Sequence, residues 1–135
     1  MSLDHCRVIS LNSKRDHRGS LTIVEGQEDI PFVIQRVYFL HDVPEGAIRG
    51  GHAHKTLQQF IIAASGSFDL LFSDGKNTKQ FHLNSTTQGV YVPPMLWRDI
   101  KNFSAGSVCM VLASHSYSED DYYRNFSEFQ EAAAK

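Results

Sequence analysis

Cysteine is scarce in this chain: Cys6 and Cys109 are the only two in 135 residues. So few, so far apart, do not make a disulfide framework, and no C-x-x-C pair is present to hold a metal or run thiol exchange. A reducing, cytoplasmic setting is therefore expected. Charge of one sign is lacking as well. A net charge of −2 gives no bulk attraction to nucleic acid or to an anionic membrane. Neither is expected as a partner, and an anionic ligand would need a local cluster of Arg and Lys. No apolar run is long enough to span a bilayer, and the first residues do not read as a secretory leader. A Ser-His-Asp pattern, a phosphate-cradling glycine loop and a nucleotide-fold fingerprint are also missing.

The length, with 41% hydrophobic and 21% charged residues, fits one globular domain over 1–135. Short runs rich in Val, Ile, Phe and Tyr recur at 21–25, 36–41, 48–54, 59–64, 67–72, 78–83, 89–92, 98–103 and 107–114, broken by Gly, Pro, Asn and Asp. Asp74-Gly75 between two of these runs reads as a tight hairpin. Ser65-Gly66-Ser67 and Ala105-Gly106-Ser107 read as further turns. Many short strands and one helix predict an all-β sandwich or small barrel. The helix is expected from Ser118 onward. Ser118 and Asp121 resemble a capping box, and Tyr122, Phe126 and Phe129 recur at helical spacing. Their aromatic stripe would pack on the barrel or on a partner subunit. Neither terminal segment, 1–3 or 131–135, carries functional weight.

The densest chemistry lies in Arg49-Gly50-Gly51-His52-Ala53-His54-Lys55. On a strand, residues i and i+2 share a face, with Cα atoms roughly 6.6 Å apart. Two imidazoles on one wall can ligate a metal, carry protons, or simply be structural histidines. The frame around them is longer. Gly46 precedes His52 with five residues between, Gln59 follows His54 with four between, and Gly66 follows Gln59 with six between. Pro93-Pro94-Met95-Leu96-Trp97-Arg98 comes later. This pattern resembles the two signatures of the cupin superfamily, which implies a small β-barrel or jelly roll. Where a metal-binding cupin places Glu and a third His, this chain has Gln59 and Arg98. Gln is a poor ligand and Arg cannot lose its proton. Metal-free acid–base work or ligand binding is the leading expectation, ahead of two structural histidines and of a metal.

Arg18, Arg36, Arg49, Lys55 and Arg98 are scattered in sequence, yet strands could gather several at the barrel mouth. Arg grips phosphate oxygens in bidentate fashion and Lys adds a point charge, so a nucleotide-linked sugar would suit such a pocket. Tyr38 shares a strand face with Arg36 and Leu40; a sugar contact and an ordinary half-buried tyrosine are both open for it. Trp97 reads as core. His5, His17, His41, His82 and His115 carry no motif.

Beyond cupins in general, Asp16-His17-Arg18-Gly19-Ser20-Leu21, Ile30-Pro31-Phe32, Arg36-Val37-Tyr38, Arg49–Lys55, Val108–Ser114 and Asp120-Asp121-Tyr122-Tyr123-Arg124 resemble the dTDP-4-keto-6-deoxy-D-glucose 3,4-ketoisomerases, or WxcM-like sugar isomerases. The likeness runs from about Val8 to Phe129. It implies a metal-free homodimer that needs no cofactor and moves the keto group of a dTDP-linked 6-deoxyhexose from C4 to C3. It further implies His52 as carbon base, His54 as proton shuttle between oxygens, Arg49 on the diphosphate and Tyr38 in the sugar pocket. Lys55 and Gln59 complete the expected substrate-binding set with Arg18 and Arg98. Arg18 resembles the residue found in galacto-type members and Arg98 that of gluco-type members, so the configuration at C4 of the product stays open. Two rivals keep the nucleotide-sugar. One is a 3,5-epimerase-like enzyme, which relies on a His–Asp pair and a Tyr acid with no clear equivalent around His52 and His54. The other is a non-catalytic dTDP-sugar-binding cupin.

Overall fold

The computed structural model describes residues 2–135; Met1, the first residue of the expected 1–135 domain, lies outside the described residues. A one-turn helix α1 (Ser2–His5) leads into strands β1 (Arg7–Ser10), β2 (Asn12–Asp16), β3 (Gly19–Ile23), β4 (Arg36–Leu40), β5 (Arg49–His54) and β6 (Gln59–Ser65). Then come β7 (Phe68–Ser73), β8 (Thr78–Leu83), β9 (Gln88–Val92), β10 (Trp97–Lys101) and β11 (Val108–Ala113). A 3-10 turn (Glu119–Asp121), a short strand β12 (Tyr122–Tyr123) and a helix α2 (Phe126–Ala133) end the chain.

The strands form two antiparallel five-stranded sheets, ordered β1-β9-β6-β11-β4 and β12-β5-β10-β7-β8, with β2 and β3 paired apart as a hairpin. The expected cupin-type all-β jelly roll with a C-terminal helix is what the chain builds. Its main core lies between the sheets. Ile61, Ala63, Val90, Val92 and Val111 from the first sheet meet Phe68, Leu70, Phe72, Leu83 and Ile100 from the second. Alternation sends neighbouring residues to opposite faces, so Phe60, Ile62, Tyr91 and Leu112 point out of the first sheet. There Ile30 and Phe32 cover them. Burial on both faces explains why β6 reads as a nearly continuous apolar run rather than an alternating one.

The β7–β8 hairpin pairs Ser73 with Thr78 around Asp74-Gly75. The Asp74 carboxylate accepts from the Lys76 and Asn77 amides, which closes the turn. Two expectations need correction. Strands β1 and β2 are absent from the sequence reading, because Asn12-Ser13-Lys14-Arg15-Asp16 is polar and exposed throughout and owes its extended form to pairing with β3. The helix does not begin at Ser118. It begins after Asn125, whose Oδ1 accepts from the Glu128 amide at 3.0 Å. Ser118 makes no side-chain cap. Tyr122 therefore leaves the aromatic stripe for β12, while Phe126 and Phe129 stay on the helix and pack on Trp97 at 5.3 and 5.9 Å between ring centroids.

Candidate active site

Two glycines set the geometry of β5. Gly50 and Gly51 have φ of 97° and 68°, a region that favours glycine. The pairing of β5 with β10 shifts register here, so that Gly50 faces Asp99 and His52 faces Arg98. A Cβ on Gly50 would lie 2.8 Å from the Arg98 carbonyl oxygen. The bulge re-aims the strand, and His52 and His54 follow it on one face with ring centroids 4.9 Å apart.

Arg98 is 3% exposed and spans from β10 to the facing sheet. Its Nη1 donates to Gln59 Oε1 at 2.6 Å, its Nη2 to the Tyr38 hydroxyl at 2.9 Å, and its Nε to His52 Nε2 at 3.3 Å. Gln59 Nε2 donates to the same hydroxyl at 3.0 Å. Because guanidinium only donates, the amide oxygen of Gln59 must face it. The Tyr38 oxygen accepts twice, which leaves its own proton to give. Gln59 and Arg98, the two departures from a metal-ligand set, thus bond each other. Among the described residues no group of three or more His, Cys, Asp or Glu could hold a metal.

His52 Nδ1 lies 3.2 Å from the Gly50 carbonyl. That carbonyl needs a donor and Nε2 is an acceptor, so the ring is neutral with its proton on Nδ1. Burial first, then the Arg98 charge, pulls its pKa down to about 3; the Gly50 bond opposes this. His54 is more deeply buried. Burial, then Arg98, His52 and Arg36, pull it down to about 2. The buried nitrogens His54 Nδ1, His54 Nε2 and Arg36 Nε make no hydrogen bond among the described residues. Both imidazoles therefore stand as unprotonated bases at neutral pH.

A cavity of about 270 Å³ opens over this network, lined by Arg36, Tyr38, Arg49, His52, Arg98 and Arg124, among others. A second cavity of about 250 Å³ reaches His54, with Arg36 and Tyr122 on the walls of both. Tyr122 packs on the two rings, 4.9 Å from His52 and 4.4 Å from His54, and Arg124 lies 4.2 Å over the Tyr122 ring. The structure thus gathers His52, His54, Tyr38, Arg49, Gln59 and Arg98. It does not bring in Lys55, whose Nζ lies over the Tyr123 ring. Nor does it bring in Arg18, exposed at the turn between β2 and β3 and paired with Asp16 at 2.8 Å. Tyr122, Arg124 and Asp121 are the residues that helical spacing concealed. His115, which carries no motif, lines the second cavity.

A two-sheet barrel that mounts paired histidines and a buried arginine under an arginine-lined cavity is a cupin-type small-molecule site. The chain belongs to the FdtA family, described as WxcM-like, C-terminal, which it matches over residues 4–134. It is 40% identical over 129 residues to the TDP-4-oxo-6-deoxy-alpha-D-glucose-3,4-oxoisomerase of Aneurinibacillus thermoaerophilus, covering 96% of this chain and 93% of that protein. A sugar 3,4-ketoisomerase from Thermoanaerobacterium thermosaccharolyticum, solved in complex with TDP, superposes with a TM-score of 0.95 at 37% identity, over 98% of this chain and 96% of that one. The TDP-quinovose 3,4-ketoisomerase of Campylobacter jejuni gives 0.89 at 43% identity, over 93% and 97%.

Proposed function

We propose that this chain is a TDP-sugar 3,4-ketoisomerase that moves the keto group of dTDP-4-keto-6-deoxy-D-glucose from C4 to C3 without a metal. The observation that carries the reading is the pair of neutral imidazoles on one face of β5, beside a cavity lined by four arginines. The C4 carbonyl acidifies the proton on C3. His52 removes it to give an enediol, and return of a proton to C4 completes the change. His54 moves a proton between the two oxygens. The carbons exchange oxidation state through proton transfers alone, so no redox cofactor enters. Each positioned acid–base group contributes about 10²–10⁴-fold.

The surroundings support these roles. His52 holds Gly50 through Nδ1, which leaves Nε2 for the substrate, since its contact with Arg98 is long at 3.3 Å. Arg98 is a buried cation bonded only to neutral acceptors, an arrangement that favours an anionic or carbonyl partner. Arg49, Arg36 and Arg124, which line the cavity, would hold the diphosphate, and Tyr38 would donate to a sugar oxygen. The diphosphate charge would offset the arginine field on both imidazoles, which comes second to burial in holding them neutral. Arg18 reaches no part of this cavity within one chain, so a role in product configuration requires the site of a second copy. A homodimer is the assembly that provides one. Lys55, with its Nζ over the Tyr123 ring, is given no contact with the sugar. Among the described residues no helix is long and apolar enough to cross a membrane, and a cytoplasmic enzyme fits a nucleotide-sugar substrate.

One observation favours the 3,5-epimerase alternative: Asp121 and Tyr122 do stand beside His54, contrary to the sequence expectation. Incubation of chelator-treated protein with dTDP-4-keto-6-deoxyglucose distinguishes the readings. Formation of the 3-keto isomer is expected. Exchange at C5 without it would select the epimerase, and tight binding without turnover the binding protein.

A further inference from the structure

Asp121 is tied to the residues that follow His54. Its Oδ1 accepts from the Thr56 amide at 2.9 Å and the Thr56 hydroxyl at 2.7 Å, and its Oδ2 from the Leu57 amide at 3.2 Å. Its backbone oxygen accepts from the Lys55 amide at 2.8 Å. These bonds aim the carboxylate at the ring, with Oδ2 3.7 Å from His54 Nδ1. Oδ2 takes only the longest of these bonds, so it has lone-pair capacity to spare. His54 is 5% exposed, and neither ring nitrogen has a partner. No other carboxylate comes within 4 Å of either histidine among the described residues.

We propose that Asp121 is the positioning residue of His54. In turnover it closes on Nδ1, keeps the ring proton there, presents Nε2 to the substrate oxygens, and balances the charge the ring gains as it carries a proton. The step is a transfer only: Nε2 takes a proton from one sugar oxygen and returns it to the other, while Nδ1–H stays bonded to Oδ2.

The need is evident in what faces the ring. Arg98 from β10, Arg36 from β4, Arg124 beyond β12 and the neighbouring His52 all oppose a positive His54. Tyr122 packs on it, and Asp120 and His115 line the same cavity. A bare imidazole there resists protonation. A carboxylate at hydrogen-bond distance provides the opposite charge that favours the protonated form.

This inference rests on the proposed ketoisomerase reading, and its test separates the two. Nitrogen-15 NMR of the intact protein with TDP bound reads the His54 tautomer without turnover, and Nδ1–H is expected. The Asp121→Asn variant is expected to lose about 10- to 100-fold in kcat, with KM little changed and the acid limb of its kcat–pH profile moved to lower pH. Thr56→Val removes one bond to Oδ1 and keeps the carboxylate, so its acid limb should not move. An Nε2–H tautomer in the intact protein, or an Asp121→Asn acid limb that does not move, would overturn the positioning role. Absence of ketoisomerase turnover in the unaltered protein would instead overturn the reading beneath it.

Discussion

Between the sheets, Tyr38, Gln59 and Arg98 bond one another and leave little freedom. Along the 117–124 segment the contacts are of another kind. Tyr117 and Arg124 both bond Glu119, with about half of each charged side chain exposed. Buried charge-assisted bonds are strengthened by the low dielectric and hold their geometry, whereas exposed ion pairs contribute little and are screened by salt. His52 leans on the first region, through Arg98. His54 faces the second, through Tyr122 and Asp121. The two imidazoles are therefore not equivalent: one leans on a buried network, and the other lies against a segment whose flanking ion pair is exposed.

The largest loss is expected when both bases are removed. The double variant His52→Asn/His54→Asn should lose at least about 10⁴-fold in kcat and still bind TDP through the arginines, which calorimetry and a turnover assay would show together. Acid comes next. The folded values of about 3 for His52 and about 2 for His54 lie below the ordinary 6.5. Between those limits the unfolded chain takes up protons that the folded chain refuses. Stability from the neutral rings is fully present above pH 6.5 and is lost as the pH falls toward 3. The loss is up to about 1.4 kcal/mol per pH unit for each ring, less for His52, which is not fully buried. Denaturant melts between pH 7 and 5 measure it, and the double variant should flatten the dependence.

Gly50→Ala sharpens the contrast from the rigid side. A side chain at φ of 97° and 2.8 Å from the Arg98 carbonyl should cost about 1–3 kcal/mol and displace Arg98, lowering turnover as well; a denaturant midpoint reports the first and kcat the second. Glu119→Gln tests the exposed side. It should barely move the melting temperature, and any effect on turnover should shrink as salt rises.

Much of this architecture is legible in the sequence, for identifiable reasons. The period of two by itself places His52 and His54 on one face. The spacing from Gly46 to Gly66 marks Gln59, and the Pro93–Arg98 stretch marks Arg98 as inward-facing. What hid the rest is long-range pairing. Asp121 bonds Thr56 and Leu57 across 65 and 64 residues of sequence, a contact no local pattern signals. Tyr122 keeps helical spacing with Phe126 and Phe129, yet edge pairing with β5 draws it into a strand, with Tyr122 opposite His54. Similarly, β2 has no apolar face and exists through its partner β3. Arg18 shows the opposite failure: it carries the motif but sits apart from the site, because the hairpin that bears it makes its own small sheet.

The central claim is that the two imidazoles of β5 isomerise a keto sugar by moving protons between C3 and C4. Turnover of dTDP-4-keto-6-deoxyglucose in deuterated buffer, with the product read by NMR, tests it most directly. A 3-keto product with deuterium confined to the C3–C4 region is predicted, and the label also reveals the configuration at C4. Deuterium at C5, or recovery of unchanged and unlabelled substrate, would contradict it.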